Sequence, residues 1–438
     1  MKTVLAISCP ASSRSGYGDH SRDLIRSLIK IDKFDVQILD QVWGGCPRNA
    51  LASDTDQDII SRIRPGLTEQ PDIWIQVTVP NEFQPVGKYN IGVTAGMETT
   101  LVSAEWLQGC NRMNTVIVPS QHSKTVFENS VYDQTNKQGH KTGELKLTTP
   151  VEVLFEGLDT TLFNKVVDNT KLPDTIVSSI DDIKEEFCFL FVGHWLSGDL
   201  THDRKDIGGM IQTFLHTFKG KATRNQPALI MKSSSATFSV IDRENMLNRI
   251  NSIKKQLGDI NLPNIYLLHG DLTPDEMNGM YNHSKVKSMI SFTHGEGFGR
   301  PLLEFSVTGK PVIASNWSGH TDFLDKYGVG LPGELKQVHQ SAVWDKVIIP
   351  ESKWFYVNYG YASGVLKDVY TNYKKYLELS RKQTKYVKDN FTVTHMTSAF
   401  TDMLERILPE FPKAVELKLP KLPKLAPVKL PKLEEQDV

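Results

Sequence analysis

The chain has 438 residues, more than one hydrophobic core ordinarily organises, which points to two domains with a cleft between them. Its 50 lysines and arginines nearly cancel 51 aspartates and glutamates, which excludes a global field drawing the molecule to nucleic acid or an anionic membrane; any polyanion contact has to be local. Cys9, Cys46, Cys110 and Cys188 are scattered in a way that fits neither a disulfide framework nor a paired zinc site, and a reducing cytoplasm is the expected home. The apolar run at 4–7 is too short for a signal-peptide core, and no stretch of about 20 apolar residues is available to span a bilayer, so a soluble chain without a transmembrane segment is expected.

In chain order, short β-branched runs at 3–7, 35–39, 73–77, 91–93 and 115–118 alternate with helix-like stretches, the rhythm of a parallel sheet flanked by helices. After the first run, Ser15-Gly16-Tyr17-Gly18-Asp19-His20 forms a glycine-rich turn ahead of an amphipathic helix carrying Leu24, Ile25, Leu28 and Ile29. Asp54-Thr55-Asp56, just before Ile59, reads as a helix cap rather than a metal-binding pair. A polar insertion at 133–149, with Lys137, His140 and Lys141, interrupts the pattern before another run at 151–155. The rhythm restarts at 187–192 and continues at 228–231, 265–268, 288–291 and 311–314.

The fold class that follows is α/β: two Rossmann-like, doubly wound domains facing a cleft, with ligands beyond the carboxyl ends of the strands. The first domain is expected over 1–160, a linker over 161–185 and the second domain over 186–392. A final helix, about 393–412, is expected to cross back to the first domain. The tail 413–438 repeats Lys-Leu-Pro at Lys418, Lys421 and Lys429, and this proline spacing forbids a helix. It reads as a disordered, solvated extension or as an arm for a polyanion or a partner.

The most informative segment is His294-Gly295-Glu296-Gly297-Phe298-Gly299-Arg300-Pro301-Leu302-Leu303-Glu304, which follows a strand and opens a helix. Its glycines let the backbone approach a ligand closely; Pro301 suits the first helical position and Gly309 the stop. A short helix aimed at the cleft favours a phosphate at its N-terminus, and Arg300 adds charge beside it. Glu304, placed in the first helical turn, has the acceptor-only chemistry that grips a vicinal diol such as a ribose, and Glu296 that which holds sugar hydroxyls.

Glu296 and Glu304, with seven residues between them, resemble the Glu-x7-Glu signature of the retaining GT-B glycosyltransferases that include sucrose- and glycogen-synthase-like enzymes. Pro301-Leu302-Leu303-Glu304 and Gly309-Lys310-Pro311-Val312-Ile313-Ala314-Ser315 extend that resemblance in order. It implies that Glu296 contacts the donor sugar and Glu304 the nucleotide ribose, with Gly297, Phe298, Gly299, Arg300, Pro301 and Leu302 around them. Phe191-Val192-Gly193-His194, followed by Arg204-Lys205-Asp206-Ile207, is similar to the family's diphosphate-holding segment, and assigns Lys205 and Arg204 to the phosphates. His194 stands where the family has an arginine. Gly270-Asp271-Leu272-Thr273-Pro274-Asp275-Glu276 resembles the loop beside the base, and Thr273 with Glu276 also makes a capping box on structural grounds alone.

In the first domain, Gly16 and Gly18 resemble the family's glycine-rich loop over the donor phosphates, and His20 stands at the start of the following helix. Glu98, after the run at 91–93, is the acceptor-side catalytic candidate, with His122 as an alternative. The implied reaction transfers a hexosyl or related sugar from a UDP-, GDP- or ADP-sugar to a hydroxyl, with retention and without a metal. No cofactor beyond that co-substrate is implied, and catalysis falls to Glu296, Glu98 and Lys205. The alternatives are a nucleotide-sugar-binding scaffold with vestigial catalysis and an enzyme whose acceptor is a hydroxymethylated DNA base. A phosphorylase is disfavoured, since no lysine stands in a pyridoxal-phosphate context.

Overall fold

The computed structural model describes residues 2–411, apart from 223–225, 236–237 and 259–260, so the tail 413–438 lies outside the described residues. The first half builds β1 (Thr3–Cys9), β2 (Phe34–Asp40), β3 (Ile73–Val77), β4 (Tyr89–Val93) and β5 (Thr115–Val118). A hairpin of β6 (Val131–Thr135) and β7 (Lys141–Lys146) follows, and then β8 (Val151–Val153). The six-stranded sheet runs β2-β1-β3-β4-β5-β8 and is parallel throughout. The polar insertion is thus the antiparallel β6–β7 hairpin, whose residues are mostly exposed.

The second half builds β9 (Cys188–His194), β10 (Ala228–Ser234), β11 (Ile265–Leu268), β12 (Val286–Ser291), β13 (Val312–Ser315) and β14 (Val329–Leu331). Its order is β11-β10-β9-β12-β13-β14, again parallel. A hairpin of β15 (Gly333–Gln337) and β16 (Lys353–Val357) is appended, which the sequence pattern does not announce because β15 is exposed at every position. The fold is α/β with two doubly wound domains, as expected.

Alternation places the two faces of each sheet in separate cores, because successive strand side chains point to opposite sides. In β1, Leu5 and Ile7 pack with Leu24, Leu28 and Ile38, while Ala6 packs with Trp74 and Trp106 on the other face. In β9, Leu190 joins Ile230 and Phe305, whereas Phe189 and Phe191 join Phe214 and Met231. The segment 161–185 is not a bare connection: it carries a helix, Asp174–Asp181, whose Ile176 and Ile180 enter the second core along with Ile183. The helix Val393–Ile407 sets Met396, Phe400, Met403 and Leu404 into the first core, and Thr397 hydrogen-bonds Ser27 at 2.9 Å. The chain passes between the domains where Leu158 N–H donates to Phe391 O (2.8 Å) and Val393 N–H to Leu158 O (2.9 Å).

One smaller expectation changes. Asp56 is the N-cap residue of the helix Gln57–Ile60, but its carboxylate accepts from Ala52 N–H and pairs with Arg26 instead of capping. Among the described residues no helix is long and apolar enough to cross a membrane.

Candidate active site

In the second sheet the strand order reverses between β9 and β12, and the loops leaving their carboxyl ends frame the crevice where such sheets bind ligands. The loop after β9 is tightly folded: Thr201 and Asp206 both take left-handed backbone angles, φ 68° and 46°. Asp206 caps the helix Ile207–Phe218 by accepting from Gly209 N–H (3.2 Å), and Tyr359 donates its hydroxyl to the other carboxylate oxygen (2.7 Å). Arg204 and Lys205 are thereby held just ahead of the helix. The Arg204 carbonyl accepts from His294 N–H (3.0 Å), which pins this loop to the one after β12.

Lys205 donates directly to Glu296, and both side chains are buried. Arg204 donates to Glu98 of the first domain at 3.0 Å and lies 3.9 Å from Glu296. The three residues expected to do the chemistry therefore converge, with Arg204 between the two carboxylates. Burial pulls the Lys205 ammonium below the ordinary lysine range, against the pull of Glu296. Burial works to raise Glu296, but Lys205 and Arg204 overcome it and hold the carboxyl below its usual value. Glu296 is thus kept ionised. Ser318 Oγ accepts from Glu296 N–H (2.9 Å), which fixes the loop from the β13 side.

The glycines flanking Glu296 are required by contact between domains. A Cβ on Gly295 would stand 2.0 Å from the Glu98 carbonyl, and one on Gly297 1.9 Å from the Ala95 carbonyl. Ser120, at the end of β5, donates to the Gly297 carbonyl (2.7 Å), and Gln121 N–H to Asp322 (2.9 Å). The loops after β4 and β12 thus lie backbone against backbone across the cleft.

Glu304 sits in a second group of charges. Gly299 caps the helix Arg300–Ser306 in the left-handed region, φ 96°, so Arg300 and not Pro301 takes the first helical position. Glu304 accordingly falls beyond the first turn. Tyr281 donates its hydroxyl to one Glu304 oxygen (3.0 Å) and Arg300 Nε to the other (3.2 Å). The same guanidinium donates to Asp23 of the first domain (2.7 Å) and lies 3.9 Å from Glu156. Arg300, expected beside the phosphates, is instead occupied by carboxylates. Burial pushes Glu304 up to about 7 and Glu156 up to about 8, with Arg300 opposing in both cases.

In the glycine-rich turn, Ser15 Oγ caps the helix Gly16–Ile31 by accepting from Gly18 N–H (3.1 Å). A Cβ on Gly18 would meet the Ser13 carbonyl at 2.1 Å, whereas Gly16 faces open space. Gly18 is therefore explained by its own turn, and Gly16 is the position with room beside it. Tyr17 bonds Thr94 (3.0 Å) and stacks on Trp43, tying this turn to the loop that bears Glu98. Burial drives His20 down to about 3, with Arg300 adding to the shift, so it stays neutral. Burial, with His320 adding to it, takes His122 down to about 4, and its ring meets Trp317 edge-on. Phe298 and Leu302, expected near the donor, are core residues packed with Leu303, Phe305 and Phe323. His194 reaches Ser234 (3.2 Å), and the Thr273–Glu276 capping box is formed.

Asp23, Glu156 and Tyr281 were not legible as site residues, nor was the pair Arg14–Asp271, which spans the domains at 3.5 Å. No local signal was available: Asp19 and Asp23 stand on the helical face opposite Leu24, Ile25 and Leu28, where acids are ordinarily solvated.

No protein-family model matches the chain, and no curated protein matches it in sequence. Solved structures do match in fold. A sucrose-phosphate synthase from Thermosynechococcus elongatus aligns with TM-score 0.59 at 12% identity, over 93% of this chain and 99% of that one. A glycosyltransferase from Rickettsia africae aligns with TM-score 0.57 at 13% identity, over 93% and 99%. Anabaena HepE, solved in complex with UDP and glucose, aligns with TM-score 0.56 at 12% identity, over 92% and 100%. At such identities the likeness establishes the architecture: the chain has the GT-B fold along its described length.

Proposed function

We propose that this protein is a glycosyltransferase that moves a hexosyl or related sugar from a nucleotide-diphosphate sugar to a hydroxyl acceptor with retention of configuration. The observation that carries the reading is the meeting of Lys205, Arg204 and Glu296 at the strand-order reversal of the second sheet, opposite Glu98 of the first domain. Similarity in fold to HepE, whose structure holds UDP and glucose, supports a nucleotide sugar as the donor.

In this reading the diphosphate enters between Lys205 and Glu296 and takes over the ammonium that the carboxylate now neutralises. Fixed positive charge at Lys205 and Arg204 then stabilises the negative charge growing on the departing nucleoside diphosphate. Glu296, released from Lys205, accepts hydroxyls of the transferred sugar. Glu304, across the short helix, accepts the ribose diol once Arg300 and Tyr281 yield part of their hold. Glu98 faces the acceptor and receives its proton, directly or through the leaving phosphate. A carboxylate pair across the sugar ring, as in a double-displacement glycosidase, is not part of this scheme, and attack on the face of the leaving group accounts for retention.

The test is incubation of the full chain with labelled UDP-, GDP- and ADP-sugars, followed by mass spectrometry of acceptor mixtures of glycans, lipids and hydroxymethylated DNA. Hydrolysis or transfer of one donor supports the proposal. Tight binding without turnover supports a binding protein instead.

A further inference from the structure

Arg300 is one of the points at which the two domains share charge. Its Nε faces Glu304 (3.2 Å) on its own helix, while its terminal nitrogen faces Asp23 (2.7 Å) on the helix Gly16–Ile31 and Glu156 (3.9 Å) just after β8. All three carboxylates are buried, and the guanidinium is half-buried. Asp19 adds a fourth acid to the field, itself paired with Arg22, while Tyr281 holds the other Glu304 oxygen and His20 contributes a neutral ring beside Arg300. One shared guanidinium does not neutralise three carboxylates in a medium that penalises each of them.

We infer that Arg300 is a positioning residue that ties Glu304 to the first domain, aiming the carboxylate at the cleft and coupling its ionisation to closure of the two domains. The inference rests on the proposed role of Glu304 as acceptor of the ribose hydroxyls. A diol donates well to an ionised carboxylate and poorly to a protonated one. With the cleft closed, burial and Asp19 of the first domain favour the protonated form of Glu304, and Arg300 opposes them. Uptake of the nucleotide then releases a proton from Glu304, and residues that never touch the nucleotide set the pH at which this happens. Arg300 acts through Glu304 and is no catalytic residue.

Calorimetric titration with UDP, GDP and ADP from pH 5.5 to 8.5 tests this on the full chain, with Asp19→Asn, Arg300→Gln and Glu304→Gln as variants. For the nucleotide that binds, the wild-type Kd is expected to tighten by about tenfold per pH unit below a break near neutrality and to level off above it. Asp19→Asn keeps the side-chain volume, removes a like charge that raises Glu304 and moves the break to lower pH. Arg300→Gln removes the opposing cation and moves it to higher pH. Glu304→Gln gives weak binding without a break. Profiles of Asp19→Asn and Arg300→Gln that superimpose on the wild type, with Glu304→Gln still weak and flat, overturn the coupling and leave the reading of Glu304 intact. Wild-type affinity in Glu304→Gln, or binding of none of the three nucleotides, overturns that reading and the coupling with it.

Discussion

Lys205 and Glu296 form a buried ion pair whose partners arrive from the two loops that flank the reversal of strand order in the second sheet. Each neutralises the other in a place where burial penalises either charge alone. Removing one partner leaves an uncompensated buried charge, so Lys205→Met is expected to destabilise the chain by about 3–5 kcal/mol. The double variant Lys205→Met with Glu296→Leu should recover most of that loss in chemical denaturation while remaining inactive. Full stability in Lys205→Met alone would contradict the pairing.

The contact of Arg204 with Glu98 crosses between domains, and Glu98 is the carboxylate nearest the acceptor side in the proposed reaction. Glu98→Gln is expected to lower the rate of transfer by about 10²-fold or more while the Kd for nucleotide stays within about twofold of wild type. Kinetics of transfer set against equilibrium binding separate the two. A matching loss in both would assign Glu98 to holding Arg204 rather than to chemistry.

Gly297 has no space for a side chain while the domains are closed, because a Cβ would stand 1.9 Å from the Ala95 carbonyl. Gly297→Ala is expected to leave each domain folded but to hold the cleft apart, with a larger radius of gyration in small-angle scattering and turnover reduced by about 10²-fold, since misplacement by about 1 Å suffices for that. An unchanged radius with normal turnover would show that the close contact is dispensable.

Glu156 takes up its proton at about 8 in the folded chain against an ordinary value near 4.5. Between those values the folded state binds a proton that the unfolded state has lost, so this group's contribution to stability falls as pH rises through the window and is flat above it. Glu156→Gln should flatten that fall and leave the variant more stable than wild type at pH 8.5, by an amount on the order of 1–2 kcal/mol. Thermal unfolding at pH 6 and pH 8.5 measures it; a steeper decline in the variant would contradict the assignment.

Much of the architecture was written in local pattern. The β-branched runs at 73–77 and 115–118 coincide with β3 and β5, because a strand buried on both faces needs a continuous apolar run, and the apolar run at 265–268 coincides with the half-buried edge strand β11. The hairpin of β15 and β16 was not legible, since β15 carries the exposed sequence Gly333-Glu334-Leu335-Lys336-Gln337 and pairs through its backbone. The same contrast holds in the site. Lys205 and Glu296 were legible as candidates because loops at strand ends carry chemistry and their neighbours carry a recognisable pattern. The partners of Arg300 were not, because no local rule says that an arginine in one domain will be met by Asp23 and Glu156, roughly 277 and 144 residues away in the chain. Phe298 and Leu302 show the opposite error: they adjoin the motif in sequence but face the core.

The most direct test of the central claim is phosphorus-31 NMR of UDP-, GDP- and ADP-glucose added to the wild type and to the Lys205→Met, Glu296→Leu double variant. One of the three donors is expected to shift and broaden its β-phosphorus resonance with the wild type, and the double variant, folded but without the ammonium at 205, to leave it unchanged. Equal perturbation by both proteins, or none by the wild type, would contradict a diphosphate held at Lys205.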